Sequence, residues 1–278
     1  MKGLIRRIIT ATFFVIIMLV GLFTGPVTFG ILFLLITGAC LWEFFSMTLD
    51  KRSRRDLLRK SFGVALGILP FILVFIFKLR GVPPSEELVQ LASLLFSPLV
   101  FTIFIYELYA ASKEPFVNIA FLFLGLFYIG IPFALVDFIA FDGDEFMYRV
   151  VFGLLVLTWV NDTGAYLVGS RFGKTALFPR ISPNKTWEGT LGGIGTTLIF
   201  GGLLGLYFDE IALKHWLVLA AIVAIFGTLG DLVESMLKRS VGVKDSGTLL
   251  PGHGGVLDRF DAFIFVMPFA SAYILYLR

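Results

Sequence analysis

Long apolar runs constrain the fold of this chain more than any other feature of its sequence. A helix needs about 20 mainly apolar residues to cross the roughly 30 Å hydrocarbon core of a bilayer. Nine runs approach or reach that length, at about 4–23, 27–48, 61–77, 88–111, 116–139, 147–168, 188–207, 213–237 and 259–277. With 58% hydrophobic residues, the chain could not cover a water-soluble surface with polar groups. The sequence therefore predicts an all-α, polytopic membrane protein with about nine transmembrane helices.

The basic residues predict how these helices are oriented. If the N-terminus is cytoplasmic, all but five of the 23 Lys and Arg residues fall in the N-terminal, 2–3, 4–5, 6–7 and 8–9 segments. The exceptions are Lys78, Arg80, Arg149, Lys214 and Arg278. Cytoplasmic segments of membrane proteins carry an excess of Lys and Arg, so we place the N-terminus inside and the C-terminus outside. The 6–7 and 8–9 segments then share the cytoplasmic face.

Composition also excludes some classes of function. The single cysteine, Cys40, lies within an apolar run, which rules out an intrachain disulfide and a cysteine metal cluster. The basic residues lie between apolar runs, so the net charge of +3 sets topology and does not indicate nucleic-acid binding. We expect helices 1–5 (residues 1–140) to form a scaffold with oligomer contacts, and helices 6–9 (residues 141–278) to carry the functional loops.

Residues 235–261 interrupt the apolar pattern with a dense group of charges and glycines. The group comprises Lys238, Arg239, Lys244, Asp245, His253, Asp258, Arg259 and Asp261. Glycine-rich backbone presents free N–H groups, basic side chains neutralise phosphates, and aspartates hold hard cations. The segment predicts a site for a polyanion together with a metal; a solvated cytoplasmic loop is the alternative.

Polar residues inside the predicted helices converge on the cytoplasmic halves of helices six and eight. Asn161 and Asp162 lie in helix six, and a charged residue within a span is costly enough to suggest function. In helix eight, Asp231, Ser235 and Lys238 are spaced i, i+4 and i+7 and therefore share one face.

Three other acidic residues are interpreted as helix-end residues without a functional role. Glu43 and Glu107 lie toward cytoplasmic helix ends, where we expect them to reach water by snorkelling. We interpret Asp137 as an outer helix-end residue.

The start of helix nine supplies two further carboxylates, Asp258 and Asp261. N-capping is one interpretation of Asp258. A divalent ion shared with Asp231 is the better one, because two neighbouring carboxylates would otherwise repel each other. Mg²⁺ suits oxygen ligands and usually keeps water and substrate phosphate in its shell.

The 6–7 segment contains a second polar group, Ser182 to Thr186, with the sequence SPNKT. We predict that it leads into helix seven, where hydroxyls and Lys185 at a helix N-terminus favour phosphate. The preceding GxxxGKT resembles a Walker A loop only superficially, because its spacing and its membrane context differ.

Together these motifs resemble the phosphatidate cytidylyltransferase (CDP-diacylglycerol synthase) family. The family signature SxxKRxxxxKDxxxxxPxHGGxxDRxD is matched by Ser235, Lys238, Arg239, Lys244, Asp245, Pro251, His253, Gly254, Gly255, Asp258, Arg259 and Asp261. Asn161-Asp162-Thr163 and the segment SPNKTWEG are also similar to segments of that family.

The resemblance implies that CTP and phosphatidic acid give CDP-diacylglycerol and pyrophosphate, with Mg²⁺, at the cytoplasmic face of the inner membrane. A second cation stays open, and we expect a homodimer. The metal ligands that this resemblance implies are Asp231 and Asp258, with support from Asp162 and Asp261. The implied catalytic residues are Asp231, Lys238, Asp258 and His253. The implied substrate-binding residues are Ser182, Asn184, Lys185, Ser235, Arg239, Lys244 and Arg259.

Two alternative functions fit the sequence less well. CDP-alcohol phosphotransferases use the same product, but their clustered DxxDG…AR…GxxxD…D pattern is absent from the sequence. An anion transporter would also gather charges in the membrane, but it predicts deep polar groups on both sides of the midplane. Those of this chain crowd the cytoplasmic half.

Overall fold

The computed structural model describes residues 2–49, 54–81, 86–143, 145–250, 252 and 254–278. Its helices are α1 (Lys2–Phe23), α2 (Pro26–Thr48), α3 (Arg54–Leu79), α4 (Glu86–Ala110), α5 (Pro115–Ala140), α6 (Tyr148–Phe172), α7 (Trp187–Tyr207), α8 (Leu213–Ser240) and α9 (Leu257–Leu277). Two short antiparallel hairpins in the described residues connect α5, α6 and α7. The strands β1 (Phe141–Asp142) and β2 (Glu145–Phe146) connect α5 to α6, and β3 (Ala176–Phe178) and β4 (Ser182–Thr186) connect α6 to α7.

The all-α membrane fold predicted from the sequence is confirmed. Within the described residues, seven helices are long and apolar enough to cross a membrane: α2, α3 from Arg55 onward, and α5 to α9. The first and fourth apolar runs are also helical, with shorter described apolar stretches at Ile9–Phe23 and Phe96–Ala110. A full set of nine crossings and the cytoplasmic N-terminus remain predictions.

Helix α3 begins earlier than its apolar run suggested. Predicted from residue 61, it starts at Arg54, so residues assigned to a basic loop are helical. Arg59 is buried and forms an ion pair with Glu107 of α4, and the Lys60 ammonium lies 3.4 Å from the centre of the Trp42 ring. Because Arg59 and Lys60 both have partners within the protein, the helix can extend through these two residues.

Aromatic packing among α2, α5 and α9 forms the centre of the molecule. The rings of Phe33, Phe133 and Phe263 are buried, and their centroids lie 6.3 to 6.5 Å from one another. Because lipid is as apolar as these side chains, close van der Waals packing holds such helices together. Helix α9, which follows residues 241–256 (the signature loop), is therefore embedded among N-terminal helices.

Helices α6 and α7 approach each other closely. A Cβ atom on Gly189 of α7 would lie 2.8 Å from the carbonyl oxygen of Ala165 and 3.1 Å from the Cα of Gly169. Only glycine permits this approach, which brings the polar end of α6 beside the start of α7.

Two of the described helices contain a π turn. In α5 it spans Leu126–Gly130, and in α8 it spans Val223–Gly227. A π turn inserts one extra residue into a helix and often lies near a functional site. In α8 it directly precedes Thr228, the first residue of this helix that reaches the cavity described below.

The loops assigned to the cytoplasm gather at one end of the bundle. Ser246, between α8 and α9, donates a hydrogen bond to Glu43 near the end of α2, and Arg55 donates to the carbonyl of Ala110 at the end of α4. At the opposite end, Arg278 donates to the carbonyl of Phe141 at 2.7 Å. This common end brings the 6–7 and 8–9 segments together.

Two acidic residues were misinterpreted from the sequence, and a third has an unexpected burial. Glu43 and Glu107, expected to snorkel to water, are each only 3% exposed. Asp137 lies in the last turn of α5, as expected of a helix-end residue, but it is fully buried. Glu107 pairs with Arg59, and Glu43 binds the loop before α9. Among the described residues, neither carboxylate oxygen of Asp137 has a hydrogen-bond partner.

Candidate active site

A polar cavity of about 660 Å³ opens at the shared end of α6, α7, α8 and α9. Its lining includes the charged residues Asp162, Lys185, Asp231, Lys238, Asp245, Asp258, Arg259 and Asp261. Asn184 and Thr186 of β4 contribute to the same wall. The structure thus brings together residues that the sequence distributes over a hundred positions.

The β3–β4 hairpin positions Lys185. The carboxylate of Glu188, in the first turn of α7, accepts hydrogen bonds from the backbone N–H groups of Lys174 and Thr175 at 3.1 and 3.2 Å. Thr186 caps α7 by accepting from the N–H of Gly189 at 3.1 Å. The hairpin is thereby fixed against α7, and Lys185 forms an ion pair with Asp231 of α8. As predicted, Ser182–Thr186 leads directly into α7, and in the structure these residues form strand β4.

Asn161 joins three helices at the wall of the cavity. Its side-chain amide donates to Thr228 of α8 at 3.3 Å and its carbonyl accepts from Thr197 of α7 at 3.4 Å. The Asn161 side chain, which makes both contacts, is buried. Asp162, the next residue, is therefore held at the cavity, where its side chain is exposed.

Lys238 lies between two carboxylates. Its ammonium donates to Glu234 at 2.6 Å, one turn earlier on α8, and to Asp258 of α9 at 2.7 Å. Ser235 donates to Asp231 at 3.3 Å, as expected for residues that share a helical face. The i, i+4, i+7 face predicted from the sequence is present, but Lys238 pairs with Glu234 and Asp258.

Asp258 organises the end of the signature loop. Its carboxylate accepts from the N–H of Gly255 at 2.7 Å and from the N–H of Ser246 at 3.1 and 3.2 Å. Gly254 has a φ of +84°, a conformation that favours glycine, and a Cβ there would lie 2.6 Å from Asp258. The glycines of the signature therefore let the backbone fold around this carboxylate.

The remaining aspartate of the signature is more deeply placed. Asp261 is buried, lines the cavity, and accepts from the N–H of Ala262 at 2.7 Å. Arg259 lines the cavity with an exposed side chain.

Four residues predicted to bind substrate do not appear among the described residues that line the cavity. Ser182 pairs with Phe178 in the hairpin, Ser235 contacts Asp231, and Lys244 is exposed on the loop. Arg239 donates to the carbonyl of Val243 at 3.1 Å and so braces the turn after α8. His253, predicted to be catalytic, lies outside the described residues.

The charge of the cavity suits a cation. Its described lining holds five aspartates against two lysines and one arginine, a formal excess of two negative charges. Carboxylate oxygens are the ligands that Mg²⁺ prefers, and two of them, on Asp231 and Asp258, already pair with lysine ammonium groups. In the described part of the chain, no three acidic, histidine or cysteine side chains form a metal site by themselves. Mg²⁺ needs only one or two protein carboxylates when substrate phosphates complete its shell, so these residues fit the ion.

Sequence reasoning missed Glu43 as a residue of this region. It lies about two hundred positions before the signature, yet its Oε2 accepts from Ser246 and from the N–H of Leu257. An acidic residue in an otherwise apolar helix was the only signal, and the same signal at Asp137 leads to no partner among the described residues.

Comparison with known proteins identifies the family of the chain. Residues 5–277 match the model of the cytidylyltransferase family. A Staphylococcus aureus (strain COL) protein named phosphatidate cytidylyltransferase is 36% identical over 264 residues, covering 94% of this chain and 95% of its own. A Bacillus subtilis (strain 168) protein of the same name is 35% identical over 271 residues, covering 95% of each chain.

Proposed function

This chain belongs to the cytidylyltransferase family, and we propose that it transfers CMP from CTP to phosphatidic acid, giving CDP-diacylglycerol and pyrophosphate. It is a CTP-dependent nucleotidyltransferase of phospholipid synthesis. The observation that carries this conclusion is the polar cavity itself. Within this bundle of apolar helices, charged side chains from three separate segments line one cavity: Lys185, Asp231, Lys238 and Asp258.

The reaction needs two anions to be brought together. An oxygen of the phosphatidate phosphate attacks the α-phosphorus of CTP, a new P–O bond forms, and the bond to the β-phosphate oxygen breaks to release pyrophosphate. Phosphatidate is already ionised at neutral pH, so the attacking oxygen needs no general base. Catalysis then consists of positioning and charge neutralisation. Lys185 and Arg259, which line the cavity, are suited to neutralise the phosphates.

We propose that Asp231 and Asp258 hold Mg²⁺, with Asp162 and Asp261 in support; a second cation stays open. The bound ion would neutralise phosphate charge and stabilise the leaving pyrophosphate. The chain's own contribution is to hold the carboxylates ready. Lys238 and the backbone N–H groups of Ser246 and Gly255 fix Asp258, while Lys185 and Ser235 fix Asp231.

Several finer assignments belong to the same proposal. The positive-inside pattern supports a multi-pass protein of the inner membrane with its site toward the cytoplasm. Asn184 borders the cavity and suits a substrate contact. Phosphate binding by Ser182, Arg239 and Lys244 would require these side chains to turn toward bound substrate, and His253 keeps its proposed catalytic role. The scaffold role of residues 1–140 and a homodimer complete the proposal.

The test is direct. Purified full-length protein, incubated with CTP, phosphatidate and Mg²⁺, should form pyrophosphate and CDP-diacylglycerol. The variants Asp231→Asn and Asp258→Asn should fold but lose activity, because each substitution removes a ligand charge and keeps the side-chain volume. The function would be refuted by absence of product from folded wild type. The two-carboxylate site would be refuted by near-normal turnover of either variant with unchanged Mg²⁺ dependence.

A further inference from the structure

The carboxylate of Glu43 holds the signature loop at two points. Glu43 lies near the end of α2 and is 3% exposed. Its Oε2 accepts from the Ser246 hydroxyl at 3.1 Å and from the N–H of Leu257 at 2.9 Å. Ser246 lies in the loop that follows α8, and Leu257 is the first residue of α9. One buried carboxylate of the N-terminal part thus fastens both the interior and the end of this loop.

The loop backbone is shaped to receive this carboxylate. A Cβ atom on Gly247 would collide with Oε1 of Glu43, and a Cβ on Gly255 would collide with Oε2. Gly255 belongs to the HGG part of the signature. The absence of a side chain at these two positions lets the loop close over Glu43.

Glu43 also stabilises the N-terminal end of α9 electrostatically. The first N–H groups of a helix have no partner within it and form the positive end of its dipole. The N–H of Leu257 is one of these groups, and the carboxylate of Glu43 accepts its hydrogen bond. The contact therefore fixes where α9 begins, which is one residue before Asp258.

We propose that Glu43 is a positioning residue for the active site. It holds Ser246, whose backbone N–H donates to both oxygens of Asp258 at 3.1 and 3.2 Å. It also holds the start of α9, from which Asp258 and Arg259 reach the cavity. The effect on turnover rests on the proposed function; the effect on loop geometry does not.

Glu107 provides a matched control. It is also 3% exposed and lies in the N-terminal part, but it pairs with Arg59 on α3 and has no described contact with the signature loop. Loss of its charge removes an equally buried carboxylate, here one that is paired with an arginine, without touching the active-site loop.

The experiment compares Glu43→Gln, Ser246→Ala, their double variant and Glu107→Gln in the full-length purified protein. Two quantities are measured: kcat and KM for CTP and phosphatidate, and amide hydrogen exchange of residues 241–257. For Glu43→Gln we expect kcat to fall on the order of ten- to hundredfold, as for small misplacement of catalytic groups, with KM nearly unchanged. Loop exchange should accelerate about tenfold or more. The double variant should be no worse than Glu43→Gln, because the two groups act through one contact.

Normal kcat and normal loop exchange in Glu43→Gln would overturn the proposal, and so would an equal acceleration of loop exchange in Glu107→Gln. If Glu43→Gln does not fold, Ser246→Ala decides, and unchanged loop exchange in that variant counts against the proposal. Absence of turnover in wild type would refute the proposed function, while the exchange comparison would still decide the role of Glu43.

Discussion

Replacing Lys238 by methionine should expose how strongly this site depends on one ammonium group. Lys238 contacts Glu234 at 2.6 Å and Asp258 at 2.7 Å. The Lys238 side chain is 11% exposed and that of Glu234 is fully buried. Removing one partner of a buried ion pair typically costs about 3–5 kcal/mol, since the remaining charge stays buried without compensation. We expect Lys238→Met to lower the free energy of unfolding by that amount.

The loss of the Lys238 ammonium should destabilise the carboxylates of Asp258 and Glu234 to different extents. Asp258 keeps the N–H groups of Ser246 and Gly255. Glu234 loses the partner of its Oε2, and its Oε1 has no hydrogen-bond partner among the described residues. The penalty therefore arises mainly at Glu234. Adding Glu234→Gln should reduce it to the roughly 1–3 kcal/mol of an unsatisfied neutral group.

The assay is a titration with SDS in mixed micelles, which gives the free energy of unfolding of each variant. Lys185→Met is the control, because the Lys185 and Asp231 side chains are 28% and 29% exposed, and such pairs contribute about 0–1 kcal/mol. A loss in Lys238→Met no larger than in Lys185→Met would refute the argument. Purely additive losses in the double variant would refute the assignment of the penalty to Glu234.

Two further predictions concern substrate binding and topology. Lys185→Met should lower kcat/KM for CTP ten- to hundredfold, because a charge-assisted phosphate contact is worth roughly 1.5–3 kcal/mol, while Lys113→Met on an exposed loop should stay near wild type. Equal, mild losses in both would mean that Lys185 does not bind phosphate. In a Cys40→Ala background, the exposed Leu249→Cys should react with an impermeant thiol reagent only from the cytoplasmic side, and the exposed Asp209→Cys only from the other. Labelling of Leu249→Cys from outside would reverse the assigned orientation.

Local spacing allowed part of the site to be predicted from the sequence. Asp231 and Ser235 are one helical turn apart, and the structure finds their side chains in contact. The clustering of glycines and charges in residues 235–261 likewise marked a loop that wraps around Asp258. Such features depend on residues within a few turns of one another, where helix geometry fixes the distances.

Long-range pairing could not be predicted in this way. Glu43 and Leu257 are 214 positions apart, and their contact depends on how α2 packs against α9. Arg59 and Glu107 are 48 apart and were assigned to a loop and a water-facing helix end. In both pairs the glutamate stands alone in an apolar run, which is equally typical of snorkelling to water.

The π turn in α8 gives the helix two different phases. Before it, Trp216 and Leu219 are buried; after it, Asp231 and Lys238 line the cavity. Each residue of an ordinary α-helix turns the chain by about 100°, so deletion of one residue within Val223–Gly227 would rotate everything downstream by that angle. Asp231 would move away from Lys185, and Lys238 away from Asp258, although no residue described in the cavity lining had been altered. The chemistry of this site therefore depends on the number of residues in a segment that contributes no described side chain to the cavity wall.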